Sequence, residues 1–206
     1  MSSNQILSIY KSRKNILSIM ENSGYDIQDY NSFSINEIDA MHSNNQLDMI
    51  IENPETKQKS YIKYFMSVKQ LKNSIDTFIT DLYVIDNVIS KTDNLIIITD
   101  DDPNDTIIAK IKYLFDKEGY FIVIHNIQRL QYNILEHNLV PACRVLNKQE
   151  TDEFYIKYNI KDKSQIPEIS RFDPQALALC IRPGQIAKFT RNSITALETN
   201  YYRVCV

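Results

Sequence analysis

Three consecutive carboxylates, Asp100, Asp101 and Asp102, are the part of the sequence that comes closest to enzyme chemistry. They follow an apolar, β-branched run at residues 95–98, which is typical of a buried strand. Ligand sites in open α/β sheets lie at the ends of such strands, and clustered carboxylates hold Mg²⁺ or accept a phosphoryl group. One hypothesis is therefore a magnesium-dependent phosphotransfer or nuclease domain. We favour the interpretation that the aspartates cap the following helix, whose N-terminal dipole attracts negative charge.

A second arrangement with nuclease-like residue types lies on a predicted hairpin, with Asp48 on one strand and Lys63 on the next. Metal-dependent nucleases of this type need another acid two residues before the lysine, so that both carboxylates bind the same ion. That position holds Tyr61. Because a ligand is missing, we predict no catalysis at this hairpin.

The cysteines and histidines form no recognisable nucleophile or metal site. Cys143 or Cys180 with His137 would supply a thiol and a base, but no third group that orients the base is evident. The chain has no C-x-x-C pair and no histidines at zinc-ligand spacing. It has only three glycines, which excludes phosphate loops and dinucleotide fingerprints because these need glycine clusters. We expect no metal, no cofactor and no small-molecule substrate.

Charge is unevenly distributed along the chain, whose formal net charge is −3. Residues 1–133 carry 13 basic and 18 acidic side chains, whereas residues 134–206 carry 10 basic and 8 acidic ones. Neither part has the basic excess that a self-sufficient nucleic-acid binder uses to neutralise phosphates. Any nucleic-acid role must therefore be local or shared with a partner. No apolar run approaches the roughly 18 residues that span a bilayer, so we expect no membrane contact.

The N-terminal part, residues 1–133, is predicted to be an α/β domain. Apolar residues at helical spacing predict a helix over 4–23, with Arg13 among the basic residues on its polar side and Gly24 at its end. Ser34 and Glu37 form a capping-box pattern that starts a second helix. Further along, the sequence predicts strands near 47–52, 61–65, 95–99 and 120–124, and helices near 68–79 and 103–117. The strand, helix and strand after residue 94 predict a parallel pair and a three-layer arrangement.

The C-terminal part, residues 134–206, is predicted to be a small α+β domain. Residues 132–137 have the character of a strand, and residues 148–158 have that of a helix. Two more strands, near 185–190 and 200–206, are predicted to be joined by a polar loop around Asn192 and Ser193.

The C-terminal third contains a series of short motifs. They are Ile134-Leu135-Glu136-His137-Asn138-Leu139-Val140-Pro141, Tyr158-Asn159-Ile160, Gln165-Ile166-Pro167-Glu168-Ile169, Asp173-Pro174, Arg182-Pro183-Gly184-Gln185, Arg191 and Tyr201-Tyr202-Arg203. In order and spacing they resemble the fifth subunit of eukaryotic nuclear RNA polymerases and the archaeal polymerase subunit that corresponds to it. The basic helix segment at residues 10–14 and the strand, Asp102-Pro103 and helix arrangement resemble the eukaryotic version.

This resemblance implies a two-domain subunit that contributes no catalytic group to the assembled nucleotidyltransferase. Residues 134–206 correspond to the family's assembly domain, which docks on the largest subunit among the core subunits. Residues 1–133 correspond to the eukaryotic jaw domain, which lies beside downstream duplex DNA. The residues expected at the partner interface are His137, Leu139, Val140, Pro141, Asp173, Pro174, Pro183, Gly184, Arg191, Tyr202 and Arg203.

The jaw loop that the family places near DNA corresponds here to Asp102, Pro103 and Asn104. The family's loop commonly reads Thr-Pro-Ser-Ala, which is small and neutral, whereas residues 100–105 of this chain contain four carboxylates. Repulsion between these carboxylates and phosphates predicts at most a weak contact of this loop with DNA.

The composition also bears on the source. The chain contains 31 isoleucines and 19 asparagines, a bias typical of AT-rich genomes. A protist and a large DNA virus with its own polymerase both fit this bias. The first predicts a nuclear protein, and the second a protein of the virion or of a cytoplasmic replication site in the host.

Overall fold

The computed structural model describes residues 3–206, without the side chains of residues 3, 69, 70, 72 and 73. Its backbone contacts divide the chain into two compact units with the boundary between Asn133 and Ile134. Each unit is built on one four-stranded sheet. The fold is therefore mixed α/β with two sheets, as the sequence predicts.

The N-terminal unit combines helices with a mixed sheet. Its elements are α1 (Ser3–Asn22), α2 (Ile35–Ser43), β1 (Met49–Glu52), β2 (Lys59–Phe65), α3 (Val68–Thr80), β3 (Asn94–Thr99), α4 (Asp105–Glu118) and β4 (Ile122–Asn126). The strand order is β1-β2-β3-β4, in which β1 is antiparallel to β2 while β2, β3 and β4 run parallel. The parallel pairing of β3 with β4 confirms the predicted strand, helix and strand unit.

The sheet of this unit is covered on both faces. On one face, Ile97 of β3 belongs to a buried apolar cluster with Ile75 of α3 and Ile111 of α4. On the other, the hydroxyl groups of Ser12 on α1 and Tyr64 on β2 lie 3.2 Å apart in the interior. Every residue of β3 is buried, because helices exclude water from both faces of a central parallel strand.

Local signals in this unit form as predicted at several helix ends. Ser34 and Glu37 make the reciprocal capping box of α2. Gly24 and Gly119 adopt positive φ angles of 87° and 79° after α1 and α4, where a side chain would be strained. Strand β4 begins at Ile122 rather than at the predicted residue 120. The reason is that the Tyr120 amide still belongs to the turn after α4 and donates to the Leu114 carbonyl.

One polar residue of α1 does not lie where the helical pattern places it. Arg13, predicted on the solvent side, is buried. The chain after α1 folds over it, so that its guanidinium carbon lies 5.8 Å from the ring centre of Tyr30 and 5.4 Å from that of Phe33. The solvent side of a helix cannot be read from its own sequence when another segment covers it.

The C-terminal unit is a smaller α+β fold. Its elements are β5 (Ala142–Val145), α5 (Lys148–Tyr158), β6 (Glu168–Ile169), α6 (Pro174–Ala178), β7 (Ile186–Ser193) and β8 (Leu197–Cys205). The strand order is β5-β7-β8-β6, with only β6 and β8 parallel. One face of the sheet packs on α6 through Ala176 and Phe189, and the other packs on α5 through Phe154 and Val204.

Two predictions for this unit are wrong. Residues 132–137 contain no strand but a short 3₁₀ turn, Ile134–Glu136, because the chain closes on itself there, with the His137 amide donating to the Ile134 carbonyl at 3.2 Å. Asn192 and Ser193 belong to β7 rather than to a loop, since the β7–β8 ladder continues to the pair Ser193 and Leu197. The helix predicted at 148–158 is confirmed as α5.

Candidate functional site

The predicted interface residues of the C-terminal unit do not form one continuous site. Leu139, Val140, Pro141 and Arg191 line a groove of about 510 Å³. Of the others, Tyr202 lies on the opposite side of the sheet, Arg203 lies in β8 on the same face as the groove, and the rest lie in the turns that shape the unit. Tyr202 and Arg203, adjacent in β8, necessarily point to opposite faces.

The groove is bordered on one side by a rigid turn. The Leu139 amide donates to Nδ1 of His137 at 3.2 Å, and the Val140 amide donates to the His137 carbonyl at 2.9 Å. The side-chain amide of Gln175 on α6 donates to the Pro141 carbonyl at 2.7 Å. These contacts hold the turn so that the Leu139 side chain is 87% exposed. His137 therefore acts as a positioning residue for the turn.

The strands β7 and β8 form the other side of the groove. The rings of Phe189 and Tyr201 stack at 5.0 Å between centres, and the guanidinium carbon of Arg191 lies 5.3 Å from the Tyr201 ring. Stacking orients a guanidinium while leaving its donors free to meet an acceptor. The groove thus combines an exposed leucine with an oriented cation, a combination suited to a polypeptide partner.

Tyr201 is a groove residue that the sequence alone does not single out. The sequence points to its neighbour Tyr202 as an interface residue. The register places Tyr201 opposite Phe189 and Tyr202 opposite Lys188. Without that register, the sequence offers no signal that distinguishes the two tyrosines.

Tyr202 lies in a second, smaller cleft of about 180 Å³, where the α5 face meets solvent. Its ring centre is 4.4 Å from that of Phe154 and 5.7 Å from that of Tyr158. Arg144 pairs with Glu150 through two contacts of 2.8 and 2.6 Å at the same cleft. The hydrogen bond from Arg144, with one from the Asn147 amide, lowers the pKa of Glu150 to about 2.

Of the remaining predicted interface residues, Asp173, Pro174, Pro183 and Gly184 shape turns, and Arg203 connects two strands. Asp173 caps α6 by accepting from the Gln175 amide at 2.9 Å, and Pro174 occupies the first turn of that helix. Gly184 follows Pro183 at a φ of 86°, and its amide donates to the Cys205 carbonyl at 2.8 Å. Arg203 donates to the Glu168 carbonyl at 2.8 Å, across the parallel pair β6–β8.

The acidic loop after β3 does not cap α4 as expected. The capping residue is Asn104, whose side-chain oxygen accepts from the Ile107 amide at 3.0 Å, and Pro103 precedes the helix. Asp102 pairs instead with Arg129 at 3.3 Å, with both side chains about half exposed. Among the described residues, no three His, Cys, Asp or Glu side chains are grouped closely enough to hold a metal ion. The structure thus offers no support for magnesium chemistry at this loop.

In the hairpin with nuclease-like residues, Lys63 and Tyr61 both contact Asp48. Asp48 accepts from Lys63 at 2.5 Å and from the Tyr61 hydroxyl at 2.8 Å. Burial and the contact with Asp48 raise the pKa of Tyr61. The arrangement joins β2 to the residue before β1, and the position that a second metal ligand requires holds a hydroxyl that stays protonated.

The cysteines are not activated. Burial raises the pKa of Cys143 and of Cys180 to about 12 each. A thiol in that range is protonated at neutral pH and is a poor nucleophile. Within residues 3–206, none of the helices combines the length and apolar character that a transmembrane segment requires.

Comparison with known proteins gives a consistent result for the C-terminal unit. Residues 132–205 match the family model of the RNA polymerase Rpb5 C-terminal domain. DNA-directed RNA polymerase subunit Rpo5 of Thermococcus kodakarensis is 41% identical over 76 residues, which are 37% of this chain and 92% of that protein. The Rpo5 protein of Archaeoglobus fulgidus is 39% identical over 77 residues, which are 37% of this chain and 100% of that protein.

A eukaryotic relative matches over a segment of similar length. It is the Caenorhabditis elegans protein named DNA-directed RNA polymerases I, II, and III subunit RPABC1, which is 42% identical over 77 residues. These residues are 37% of this chain and 36% of the nematode protein.

Proposed function

This chain belongs to the family of DNA-directed RNA polymerase subunits that contains Rpb5 and its archaeal counterpart, and from that premise we propose that it is a non-catalytic part of a multisubunit RNA polymerase. Its C-terminal unit docks on the largest subunit, and its N-terminal unit lies near downstream DNA. The observation that carries the proposal is the 41% identity to an archaeal protein of which this chain covers 92%. The C-terminal unit thus corresponds to almost an entire polymerase subunit.

The shape of the C-terminal unit supports a docking role for the groove. Leu139 is held outward by a rigid turn rather than by burial. Burying a leucine side chain contributes about 1.5–3 kcal/mol, and a preformed turn loses little conformational entropy on binding. Arg191 beside it is oriented by Tyr201 and can donate to a carbonyl or carboxylate of the partner. The groove residues are therefore the part of the predicted interface that we assign to direct contact.

The other predicted interface residues have a supporting role in this proposal. Asp173, Pro174, Pro183 and Gly184 form turns that set the strand register, and the strand register places Arg191 beside Tyr201. Replacing them would disturb the interface through the shape of the unit rather than through lost contacts.

The docking proposal is tested in the full chain with two charge substitutions at exposed apolar positions. Leu139→Asp places a carboxylate in the groove, while Ile156→Asp places one on α5, where the wild-type side chain is 81% exposed. We expect Leu139→Asp to weaken binding to the isolated largest subunit at least tenfold, since losing a contact of more than about 1.4 kcal/mol has that effect. Ile156→Asp serves as the matched control and should bind within about twofold of the wild type. Equal binding by wild type and Leu139→Asp would remove the groove from the interface.

The N-terminal unit is proposed to lie near DNA without a close contact through its acidic loop. Asp100, Asp101 and Asp102 are exposed. Within the described part of the chain, Asp102 alone among the three forms an ion pair, which it makes with Arg129. Such a loop repels phosphates over about one Debye length, roughly 8 Å at physiological salt. Neutralising Asp100 and Asp101 to asparagine should increase photocrosslinking of downstream DNA from a probe at position 105 in assembled complexes. Unchanged crosslinking at low and high salt would show that the loop does not face DNA.

The cellular compartment follows from the polymerase that the chain joins. The likeness to a protein named for polymerases I, II and III supports a nuclear enzyme. We propose the nucleus on that basis.

A further inference from the structure

A separate recess lies in the N-terminal unit, between α1, the loop that follows it and the start of α2. Its volume is about 270 Å³, enough for one side chain but not for a nucleotide. Its lining residues are Tyr10, Arg13, Lys14, Leu17, Tyr30, Asn31, Phe33 and Ile38. None of these residues takes part in the contacts assigned above to the largest subunit or to DNA.

The central polar group of this recess is the guanidinium of Arg13. The residue is only 3% exposed, and its Nη1 donates to the Leu47 carbonyl at 3.0 Å. Its Nε is fully buried and has no hydrogen-bond partner. Among the described residues no carboxylate pairs with Arg13. A buried cation with an unused donor and no counterion is a rare arrangement, because a buried charge is normally paired.

The surroundings of Arg13 favour an incoming anion. Lys14 is exposed at the rim of the recess, and the Tyr10 hydroxyl and the Asn31 amide add further hydrogen-bond donors. The lining residues include no acidic side chain. Burial lowers the pKa of Arg13, which shows that the charged form is disfavoured where it stands and would be stabilised by a negative partner.

The geometry distinguishes between oxyanions. One of the two N–H groups of Nη1 donates to Leu47, whereas the donor on Nε is unused. The edge of the guanidinium that carries Nε has the geometry to meet the two oxygens of a planar carboxylate. The rings of Tyr30 and Phe33 lie within 6 Å of the guanidinium carbon and limit approach from its faces. The acidic net charge of residues 1–133 repels a phosphate dianion or a DNA strand more strongly than a single carboxylate.

We propose that this recess, which we call the Arg13 pocket, binds a carboxylate side chain presented by an acidic segment of a partner polypeptide. Binding displaces the side chains that cover Nε of Arg13, so that the carboxylate accepts from this donor, and Lys14 adds a long-range attraction at the rim. This surface is independent of the groove around Leu139, so a failure of either proposal leaves the other standing.

The test follows the Nε–H resonance of Arg13 by NMR in the full-length protein. The probes are the peptide acetyl-Ala-Glu-Ala-amide, its uncharged match acetyl-Ala-Gln-Ala-amide, inorganic phosphate and a short DNA duplex, all at constant ionic strength. We expect a saturable shift with the glutamate peptide, together with shifts of backbone amides in residues 10–17 and 30–33. The glutamine peptide should produce no saturable shift.

Two lysine substitutions on α1 provide the variant and its control. Lys14→Gln removes the rim charge and should weaken binding of the glutamate peptide several-fold. Lys11→Gln removes an exposed charge from the same helix outside the pocket and should leave binding unchanged. Equal responses to the two peptides, or no saturable shift at all, would show that Arg13 only ties α1 to Leu47. Tighter binding of phosphate or of the duplex than of the glutamate peptide would likewise overturn the carboxylate assignment.

Discussion

The two sheets of this protein differ in the amount of apolar material packed around them. In the N-terminal unit, β3 is buried along its whole length, and thirteen buried side chains form one cluster on one side of the sheet. In the C-terminal unit the two described clusters contain six and five buried side chains, one on each face of the sheet. The longest strand, β8, is buried only at its C-terminal end, at Val204 and Cys205.

This difference indicates how each unit is stabilised. A large shared core makes the N-terminal fold depend mainly on burial of its own apolar side chains. The C-terminal unit depends more on caps, turns and paired side chains, and it leaves Leu139 of the groove almost fully exposed. A small unit that exposes large apolar side chains gains stability when a partner covers them. The comparison thus agrees with a docking role for the C-terminal unit.

The largest expected effect is a cavity in the N-terminal core. Ile97→Ala removes buried methyl and methylene groups from β3, where the side chain is fully inaccessible. We expect the free energy of unfolding of this unit to fall by about 2–5 kcal/mol. Chemical denaturation followed by tyrosine fluorescence measures the change. Ile194→Ala, an identical substitution at a fully exposed position in the other unit, should change stability by less than about 0.5 kcal/mol. Similar losses in both variants would contradict the comparison.

A medium effect is expected at the start of α5, where a cap rather than a core holds the helix. The side-chain oxygen of Asn147 accepts from the Glu150 amide at 2.9 Å. Asn147→Ala removes this bond and should lower the stability of the C-terminal unit by about 1 kcal/mol. Hydrogen exchange of the α5 amides should rise accordingly. Ser34→Ala, which removes the corresponding cap of α2, is the counterpart in the N-terminal unit. If only Ser34→Ala has an effect, caps do not stabilise the smaller unit.

The smallest expected effect concerns acid sensitivity. Hydrogen bonds from Arg144 lower the pKa of Glu150 from 4.5 to about 2, so its ionised form is favoured in the folded state. The resulting stabilisation is fully present above the unfolded pKa of about 4.5 and is lost as the pH falls towards 2. Glu150→Gln should therefore flatten the loss of stability of the C-terminal unit over this interval. Denaturation midpoints measured at several pH values test this directly.

Glu37 provides the comparison within the other unit. Hydrogen bonds from Ser34 also lower its pKa, but no arginine contributes. Glu37→Gln should also flatten the loss of stability as the pH falls below the ordinary carboxyl pKa. The change should be smaller than the one that Glu150→Gln produces. A larger change for Glu37→Gln would mean that the Arg144 contact does not set the acid response.

Local chemistry accounts for the elements that the sequence predicts correctly. The capping box of Ser34 and Glu37 and the apolar run of β3 depend on neighbouring residues, and both form as predicted. The prediction fails where the wider fold decides. The strand predicted at 132–137 is instead a 3₁₀ turn at Ile134–Glu136, since the backbone there forms hydrogen bonds within the turn. The strand that pairs with β7 at this edge of the sheet is β5. The cap of α4 is Asn104 rather than one of the preceding aspartates. Asp102 forms an ion pair with Arg129, which follows β4 in the chain.

The candidate site shows the same division. Leu139, Val140, Pro141 and Arg191 are named because their motifs resemble those of the family's assembly domain, and the structure places all four on one groove. Tyr201 could not be preferred over Tyr202, since one residue of register exchanges the two faces of a strand.

The sequence by itself determined the family, most of the helices and strands, and the turns at Asp173-Pro174 and Pro183-Gly184, because these depend on residue types at short range. Only the tertiary structure decided which exposed side chains share a groove and which cation is buried. Arg13 illustrates the physical reason: its helical position predicts exposure, and it is buried because Tyr30 and Phe33, beyond the end of its helix, cover it. Tertiary packing sets the exposure and the electrostatics of a side chain, and no local pattern contains that information.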